Sequence, residues 1–128
     1  MNCQSFTGYA AIFDVPDRGG DVVCKGAFAK AAASGLPLLW QHNRAKRIGT
    51  ITDIFEDNQG LRVIGYTTEG RALKVGTGLS FGYRATKWGT INDHRHLTEI
   101  DLIEISIVNH PMQPLAVVDA VRNLPLPE

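Results

Sequence analysis

Short apolar runs with the two-residue alternation of β-strands are the feature that most constrains how this sequence can fold. Turn-forming stretches such as Asn58-Gln59-Gly60 and Trp88-Gly89-Thr90 separate several of them. A chain of 128 residues is long enough for one domain with a buried core. The pattern therefore predicts a mostly antiparallel sheet or small barrel. The runs read SFTGYAAIF, LPLLWQ, IGTITDIFED, LRVIGYTT, LSFGYRATKW and HLTEIDLIEISIV.

Two segments favour helices. Residues 27–34 read AFAKAAAS, an alanine-rich stretch with Gly35 placed to cap its end, and residues 71–75 form a weaker candidate. Residues 1–122 are expected to form a single domain, and residues 123–128 a short, poorly ordered tail. The predicted class is a β-rich α+β domain in which a few helices surround a small, mostly antiparallel barrel.

Composition excludes several classes of function. The 13 basic residues equal the 13 acidic ones, so no general surface for nucleic acid is expected. No apolar run approaches membrane-spanning length and the first residues do not resemble a signal peptide, which predicts a cytoplasmic protein without membrane contact. Cys3 and Cys24 are expected to be free thiols. No cofactor motif is found, and no cofactor is predicted.

The stretch Gly78-Leu79-Ser80-Phe81-Gly82 matches G-x-S-x-G, the pattern of the nucleophile elbow in α/β-hydrolases. An elbow must open a helix, whereas the residues after Ser80 alternate and are aromatic, which predicts a strand. In a strand, Ser80 faces away from Leu79 and Phe81. Ser80 is therefore either a nucleophile presented from a strand or an ordinary polar strand residue.

Glu104 is a carboxylate inside an otherwise apolar strand, residues 101–108. Alternation places Ile103, Ile105 and Ile107 on one face and Glu104 on the other. A carboxylate in such a place is costly unless it is hydrogen-bonded or used in chemistry. Two interpretations stay open, a functional carboxylate and a partner for a nearby arginine.

His42 ends the apolar run LPLLWQH, and a histidine at the end of a strand can reach a cleft. Together Ser80, His42 and Glu104 supply a nucleophile, a general base and an orienting carboxylate. A lone histidine is more often a surface or core residue than a base. The polar stretch 44–47, rich in Arg and Lys, follows; it is either a solvated loop or a site for an anion or an acidic segment.

The segment Asp93-His94-Arg95-His96 offers an alternative chemistry. Two imidazoles two residues apart share one face of a strand, and in this hypothesis His110 joins them as a zinc ligand. Because the segment begins at a turn, where polar residues are common, the zinc site is the weaker hypothesis.

Four motifs in the same order resemble the tailed-phage prohead protease family, in the form encoded by prophages and gene transfer agents. In that family the catalytic serine lies in G-L-S-x-G-[FY], the histidine in W-Q-H and the acidic residue in D-L-x-E-[VI]-S. The resemblance therefore implies Ser80, His42 and Glu104 as catalytic residues. The motifs read GYAAIFDVPDRGGDVVCKGAF, LPLLWQHN with RIGTITDIFEDNQGLRVIG, GLSFGYR and LTEIDLIEISIVNHPMQPLA.

The resemblance also implies a fold similar to herpesvirus assemblin, a barrel surrounded by helices whose third catalytic residue is a second histidine. It implies a serine endopeptidase that forms a homodimer and needs neither metal nor cofactor. It also implies that the substrate is the scaffold segment of the major capsid protein, cut inside the immature capsid in the bacterial cytoplasm, and that the protease cleaves itself. Residues 109–115 would supply the oxyanion hole. The alternative function is a catalytically inactive capsid-assembly or scaffold-binding module.

Overall fold

The computed structural model describes residues 2–68 and 73–125, and these residues form eight β-strands. The longest of these strands contribute or adjoin the residues discussed below. In chain order the strands are β1 (Asn2–Ile12), β2 (Asp21–Val23), β3 (Pro37–Trp40), β4 (Asn43–Glu56), β5 (Gly60–Thr67), β6 (Gly78–Ile91), β7 (His94–Val108) and β8 (Val118–Pro125).

All eight strands belong to one sheet, in the order β2-β7-β3-β4-β5-β1-β8, with β6 paired to β7. The ladders are antiparallel except that β2 and β3 each run parallel to β7, so the predicted mostly antiparallel sheet is confirmed. Among the described residues, β6 and the segment that leads into β8 are joined only by an isolated bridge, between Gly78 and Val117. The expected closed barrel is therefore wrong: strand pairing does not continue around the sheet.

One face of the sheet is covered by apolar side chains that pack into a single core. Phe28 of the loop before β3 enters this core and meets Phe81 edge-on, with ring centroids 5.4 Å apart. Burial of apolar surface of this kind is the main favourable contribution to folding. The largest fully buried side chains of the core include Phe6, Leu38, Ile51, Leu61, Leu79, Leu97, Ile100 and Ile105.

The helix predicted for residues 27–34 is not formed. This part of the chain makes consecutive turns, with hydrogen bonds between residues three apart. The carbonyl of Ala27 accepts a hydrogen bond from the amide of Ile100 at 3.0 Å, and the amide of Phe28 donates to the Glu56 carboxylate at 3.0 Å. The Ala27 carbonyl, which a helix would pair with the Ala31 amide, is therefore taken by the sheet, and this long-range contact overrides the helix propensity of alanine.

The second predicted helix, residues 71–75, lies partly outside the described residues; residues 73–75 are not helical. The described residues contain no helix at all, so the expectation of a few surrounding helices is wrong for them. It follows that none of their segments is a helix long and apolar enough to cross a membrane. The segment expected to be a tail, residues 123–128, begins inside β8, which continues to Pro125 and pairs with β1.

A β-bulge in β7 changes the predicted alternation beside Glu104. Gly82 lies opposite Glu104 and Tyr83 lies opposite Leu102, so Ile103 is the extra residue between them. Ile103 is 43% exposed, whereas Leu102 packs against the core. The expected shared face of Ile103 and Ile105 is therefore wrong. The bulge turns Ile103 away from the core, and Ile103 and Glu104 line the same cavity.

Candidate active site

Ser80 and Glu104 lie on the adjacent strands β6 and β7. The antiparallel register places Ser80 opposite Ser106, and Gly82 opposite Glu104. Residues directly opposite each other, and residues two apart on one strand, share a face of the sheet. Ser80, Glu104 and Ser106 therefore lie on the face away from the core, as the alternation of Leu79, Ser80 and Phe81 indicated.

His42 reaches the same face from a two-residue hairpin turn. Trp40 pairs with Asn43, which leaves Gln41 and His42 as the turn between β3 and β4. Their φ angles are 51° and 59°, the positive values of a type I′ turn. Neither residue is glycine, so this backbone is sparsely populated and must be held by its surroundings. The amide of His42 is held by a hydrogen bond to the hydroxyl oxygen of Ser106, at 3.0 Å.

The imidazole of His42 is held by Glu104. Nδ1 of His42 lies 2.5 Å from Oε1 of Glu104, and the hydroxyl of Ser106 donates a hydrogen bond to Oε2 of the same carboxylate. Glu104 is only 5% exposed, so its charge depends on these two donors. With Nδ1–H bound to the carboxylate, Nε2 is the nitrogen that can accept a proton. Glu104 therefore pairs with a histidine. The sequence left open an arginine partner, but no ion pair of the described residues joins Glu104 to an arginine.

The hydrogen bond to Glu104 raises the pKa of His42 above its ordinary value of 6.5. Partial burial acts in the opposite direction, and the charge of the carboxylate adds to the increase. The raised pKa means that the His42 imidazole gains affinity for a proton from its carboxylate partner. The pair is therefore able to take a proton from a neighbouring hydroxyl and to stabilise the imidazolium that results.

Nuclear magnetic resonance titration of the His42 ring should give a midpoint above 6.5 in the unmodified protein. In Glu104→Gln the hydrogen bond to a carboxylate and its charge are lost, while burial, which lowers the pKa, remains. The midpoint should then move to lower pH. Ser5→Ala is the control, because Ser5 lies on β1 away from Glu104, and it should leave the His42 midpoint unchanged. An unchanged His42 midpoint in Glu104→Gln would contradict the coupling.

The two glycines of the G-x-S-x-G stretch are explained by close packing beside Ser80. A Cβ at Gly82 would come within 2.8 Å of the Glu104 carboxyl carbon, and one at Gly78 within 2.6 Å of the Val108 carbonyl oxygen. Both positions therefore need glycine because a neighbouring strand approaches closely. The same letters that suggest a hydrolase elbow have a different physical cause here, since Ser80 lies inside a strand.

Ser80 is 6% exposed, and its hydroxyl has no hydrogen-bond partner among the described residues. It is thus not committed to a structural role, and it does not share a hydrogen bond with His42 in this structure. Catalytic hydrogen bonds are often long before substrate binds. The His42 side chain is 43% exposed, so the imidazole has room to adjust. A cavity of about 500 Å³ opens beside the start of β6, lined in part by Trp40, Gly78 and Val108.

Ser106 is the residue of the site that sequence reasoning missed. It is fully buried and connects the amide of His42 to the carboxylate of Glu104. Its signal was a hydroxyl two residues after Glu104, on the same face of the strand. Ser106 is therefore a positioning residue that fixes the turn and the carboxylate together.

Ser106→Ala should lower the free energy of unfolding by about 1–3 kcal/mol, because two buried hydrogen-bonding groups lose their partner. The His42 pKa should also move back towards 6.5, since the carboxylate that raises it is no longer fixed. Denaturant unfolding and the His42 titration measure the two effects. Exposed Ser34→Ala is the matched control and should change stability by less than about 0.5 kcal/mol. A Ser106→Ala protein with unchanged His42 titration would show that Ser106 is merely structural.

The loop after β7, residues 109–115, approaches the strand that carries Ser80. Pro111 packs close to Gly78, two residues before Ser80. The loop is held at its other end by the buried side chain of Gln113, which accepts from the Ile12 amide at 2.8 Å and donates to the Ile12 carbonyl at 2.7 Å. This loop is therefore fixed in position beside the site.

The histidines of the alternative zinc hypothesis are not assembled into a metal site. His94 Nδ1 lies 2.9 Å from the carbonyl oxygen of Gly20, and His96 Nδ1 lies 4.0 Å from Sγ of Cys24. In the part of the chain that the structure describes, no three side chains of His, Cys, Asp or Glu are grouped so that they could hold a metal ion. The H-x-H pattern is instead part of the strand that pairs with β2.

Comparison with known proteins shows which family this chain belongs to. The structure is similar to the crystal structure of KSHV protease in complex with a hexapeptide phosphonate inhibitor, with a TM-score of 0.65 and 10% identity, over 95% of this chain and 65% of that one. The expected likeness to a herpesvirus protease is thus confirmed for the fold. The prohead protease of Enterobacteria phage HK97 is 29% identical over 136 residues, which cover 93% of this chain and 60% of that protein. The family model for the caudovirus prohead serine protease matches residues 1–124, and the chain therefore belongs to that family.

Proposed function

We propose that this chain is a serine endopeptidase in which Ser80 is the nucleophile, His42 the general base and Glu104 the residue that orients the base. The observation that carries the proposal is the hydrogen bond between His42 Nδ1 and Glu104, on the same face of the sheet as an uncommitted serine hydroxyl. Nucleophile, base and orienting acid are the three parts that acyl transfer by a serine requires. Membership of a serine protease family supports this assignment.

In the proposed reaction, Nε2 of His42 takes the proton of Ser80 as its oxygen attacks the carbonyl carbon of the scissile peptide bond. The tetrahedral intermediate collapses, the C–N bond breaks, and His42 returns the proton to the leaving amine. Water then repeats the sequence on the acyl-enzyme and releases the second product. Because the base acts in its neutral form, turnover should rise as the pH increases through the raised pKa of His42.

The oxyanion of each tetrahedral intermediate needs hydrogen-bond donors, which are worth about a hundred- to a thousandfold in rate. We assign this role to backbone amides of the loop 109–115. The loop is held by Gln113 and packs on Gly78, near the nucleophile. Pro111 and Pro114 have no amide hydrogen, so the donors come from the other residues of the loop.

The proposed substrate is the scaffold segment of a major capsid protein, cut inside the immature capsid in the host cytoplasm. The name of the HK97 relative, prohead protease, supports a role at the prohead stage, although the chain spans about 60% of that protein's length. Self-cleavage is part of the same proposal.

Co-expression with the major capsid protein of the same phage or prophage tests the proposal. The mass of the capsid subunit should fall by one defined N-terminal or C-terminal segment, and it should stay at full length with Ser80→Ala. A full-length subunit in both cases, with the protein retained in purified capsids, would instead favour the inactive scaffold-binding module.

We also propose that the active form is a homodimer, as the resemblance to the viral proteases implies. Specific activity on a peptide substrate should then fall on dilution, in parallel with the dimer fraction measured by sedimentation. A monomer with full specific activity would contradict the dimer requirement.

A further inference from the structure

A second cavity adjoins the proposed active site on the side of Glu104 away from Ser80. Its volume is about 310 Å³, and Glu104 forms part of its wall. The bulge in β7 turns Ile103 into the same space, where the side chain is 43% exposed. The lining residues are Pro37, Leu39, Arg44, Arg47, Ile103 and Glu104.

The strand register connects this cavity to the nucleophile. Arg47 lies opposite Leu39, Leu39 opposite Ser106, and Ser106 opposite Ser80, in one row across β4, β3, β7 and β6. Three strand spacings of about 4.8 Å separate the ends of this row, or about 14 Å between backbones. An extended peptide covers that distance with about four residues. A substrate bound at Ser80 can therefore place a neighbouring side chain in the cavity.

The two arginines of the cavity, Arg44 and Arg47, form no ion pair with any residue that the structure describes. The Arg47 guanidinium is nevertheless oriented, because its Nε donates to the Gly49 carbonyl at 3.1 Å and its terminal nitrogen to the Thr50 hydroxyl at 3.0 Å. A guanidinium uses five N–H groups in a planar fork that fits a carboxylate. Free donors therefore remain for an anionic ligand.

Charge and shape together define the ligand. The two guanidinium groups outweigh the single carboxylate of Glu104, both of whose oxygens already accept hydrogen bonds from His42 and Ser106. The remaining wall is apolar and suits the methylene groups of a side chain rather than a free inorganic ion. We propose that this cavity is a specificity pocket for an acidic side chain of the substrate, glutamate above all, within about four residues of the scissile bond. This inference rests on the proposed endopeptidase function.

Cleavage of a proteome-derived peptide library, with the cut sites identified by mass spectrometry, tests the pocket. Glutamate or aspartate should be enriched at one fixed position near the cut. For a peptide pair that differs only by Glu or Gln at that position, kcat/KM should favour Glu by about tenfold or more. In the double variant that carries Arg44→Gln and Arg47→Gln, the ratio of kcat/KM for the Glu peptide to that for the Gln peptide should fall towards one. Lys46→Gln is the matched control: it removes one charge from the same exposed stretch of β4, does not line the cavity, and should leave the preference intact.

The double variant loses the hydrogen bonds of Arg47, and this loss could impair folding. The single variant Arg44→Gln avoids that problem, because the Arg44 side chain makes no hydrogen bond to the described residues. Cleavage without acidic enrichment, or a Glu preference unchanged by both arginine substitutions, would overturn the pocket and leave the protease proposal standing.

A binding experiment separates the two proposals. Immobilised Ser80→Ala protein, exposed to the same peptide library, should retain acidic peptides, and the form that also carries Arg44→Gln and Arg47→Gln should not. Retention without acidic preference overturns the pocket whether or not the enzyme cuts. Absence of all cleavage by the unmodified protein, together with selective retention of acidic peptides, would contradict the endopeptidase and support the pocket.

Discussion

Ser80→Ala should abolish processing of the capsid protein while leaving the fold intact. The hydroxyl has no hydrogen-bond partner among the described residues, so its removal leaves no buried group unsatisfied. The same hydroxyl is the proposed nucleophile, without which no acyl-enzyme forms. We expect turnover to fall by about a millionfold, the size of effect seen when a serine protease loses its nucleophile. Peptide cleavage and thermal unfolding, measured side by side, test both halves of the expectation.

Ser5→Ala is the matched control for this substitution, because Ser5 is also a strand serine but lies on β1, away from the site. It should retain full activity. His42→Ala should cause a loss comparable with that of Ser80→Ala, and the double variant should be little worse than either single one, since members of one catalytic unit are not additive. Multiplied losses in the double variant, or normal cleavage by Ser80→Ala, would show that the two residues do not act together.

Glu104→Gln should reduce turnover by up to about ten-thousandfold while some activity remains. Glutamine keeps the shape of the side chain but removes the charge that stabilises the imidazolium. Its amide can also present N–H groups to Nδ1, which favours the wrong tautomer of His42. The loss should therefore appear in kcat, with little change in KM. Single-turnover rates on one peptide measure it.

His110→Ala is the comparison that decides the identity of the third residue. The resemblance to viral proteases, whose third residue is a histidine, makes His110 the competing candidate. The structure places Glu104, and not His110, at Nδ1 of His42. We expect only a modest effect of His110→Ala. The opposite ranking of the two variants would transfer the orienting role to His110.

The orientation of Ser80 and Glu104 could be predicted from sequence because alternation in a strand is a local property, whereas their catalytic roles were implied by the resemblance to prohead proteases. Ser80 faces away from Leu79, and Glu104 away from Ile105, whatever the neighbouring strands are. The pairing of Ser80 with Ser106 depends on register, which is fixed by tertiary contacts and not by either strand alone. Sequence therefore indicated the orientation of each residue but not their hydrogen bonds. Ser106 was missed for this reason.

Errors in the fold prediction have the same origin. The alanine-rich stretch 27–34 favours a helix locally, but the Ala27 carbonyl and Phe28 amide are bound by other elements. The bulge at Ile103 breaks the two-residue period without a glycine or proline to signal it. The short strand β2 has only three residues and no alternation to reveal it. In each case long-range packing decides the structure.

Covalent labelling of the unmodified protein with a fluorophosphonate probe is the most direct test of the proposed triad. Attack by the serine oxygen on phosphorus releases fluoride and leaves a stable adduct, and it needs the same base as peptide cleavage. We expect a single adduct on the peptide that contains Ser80, absent in Ser80→Ala and strongly reduced in His42→Ala. No adduct on the folded protein, or an adduct on another residue, would contradict the account.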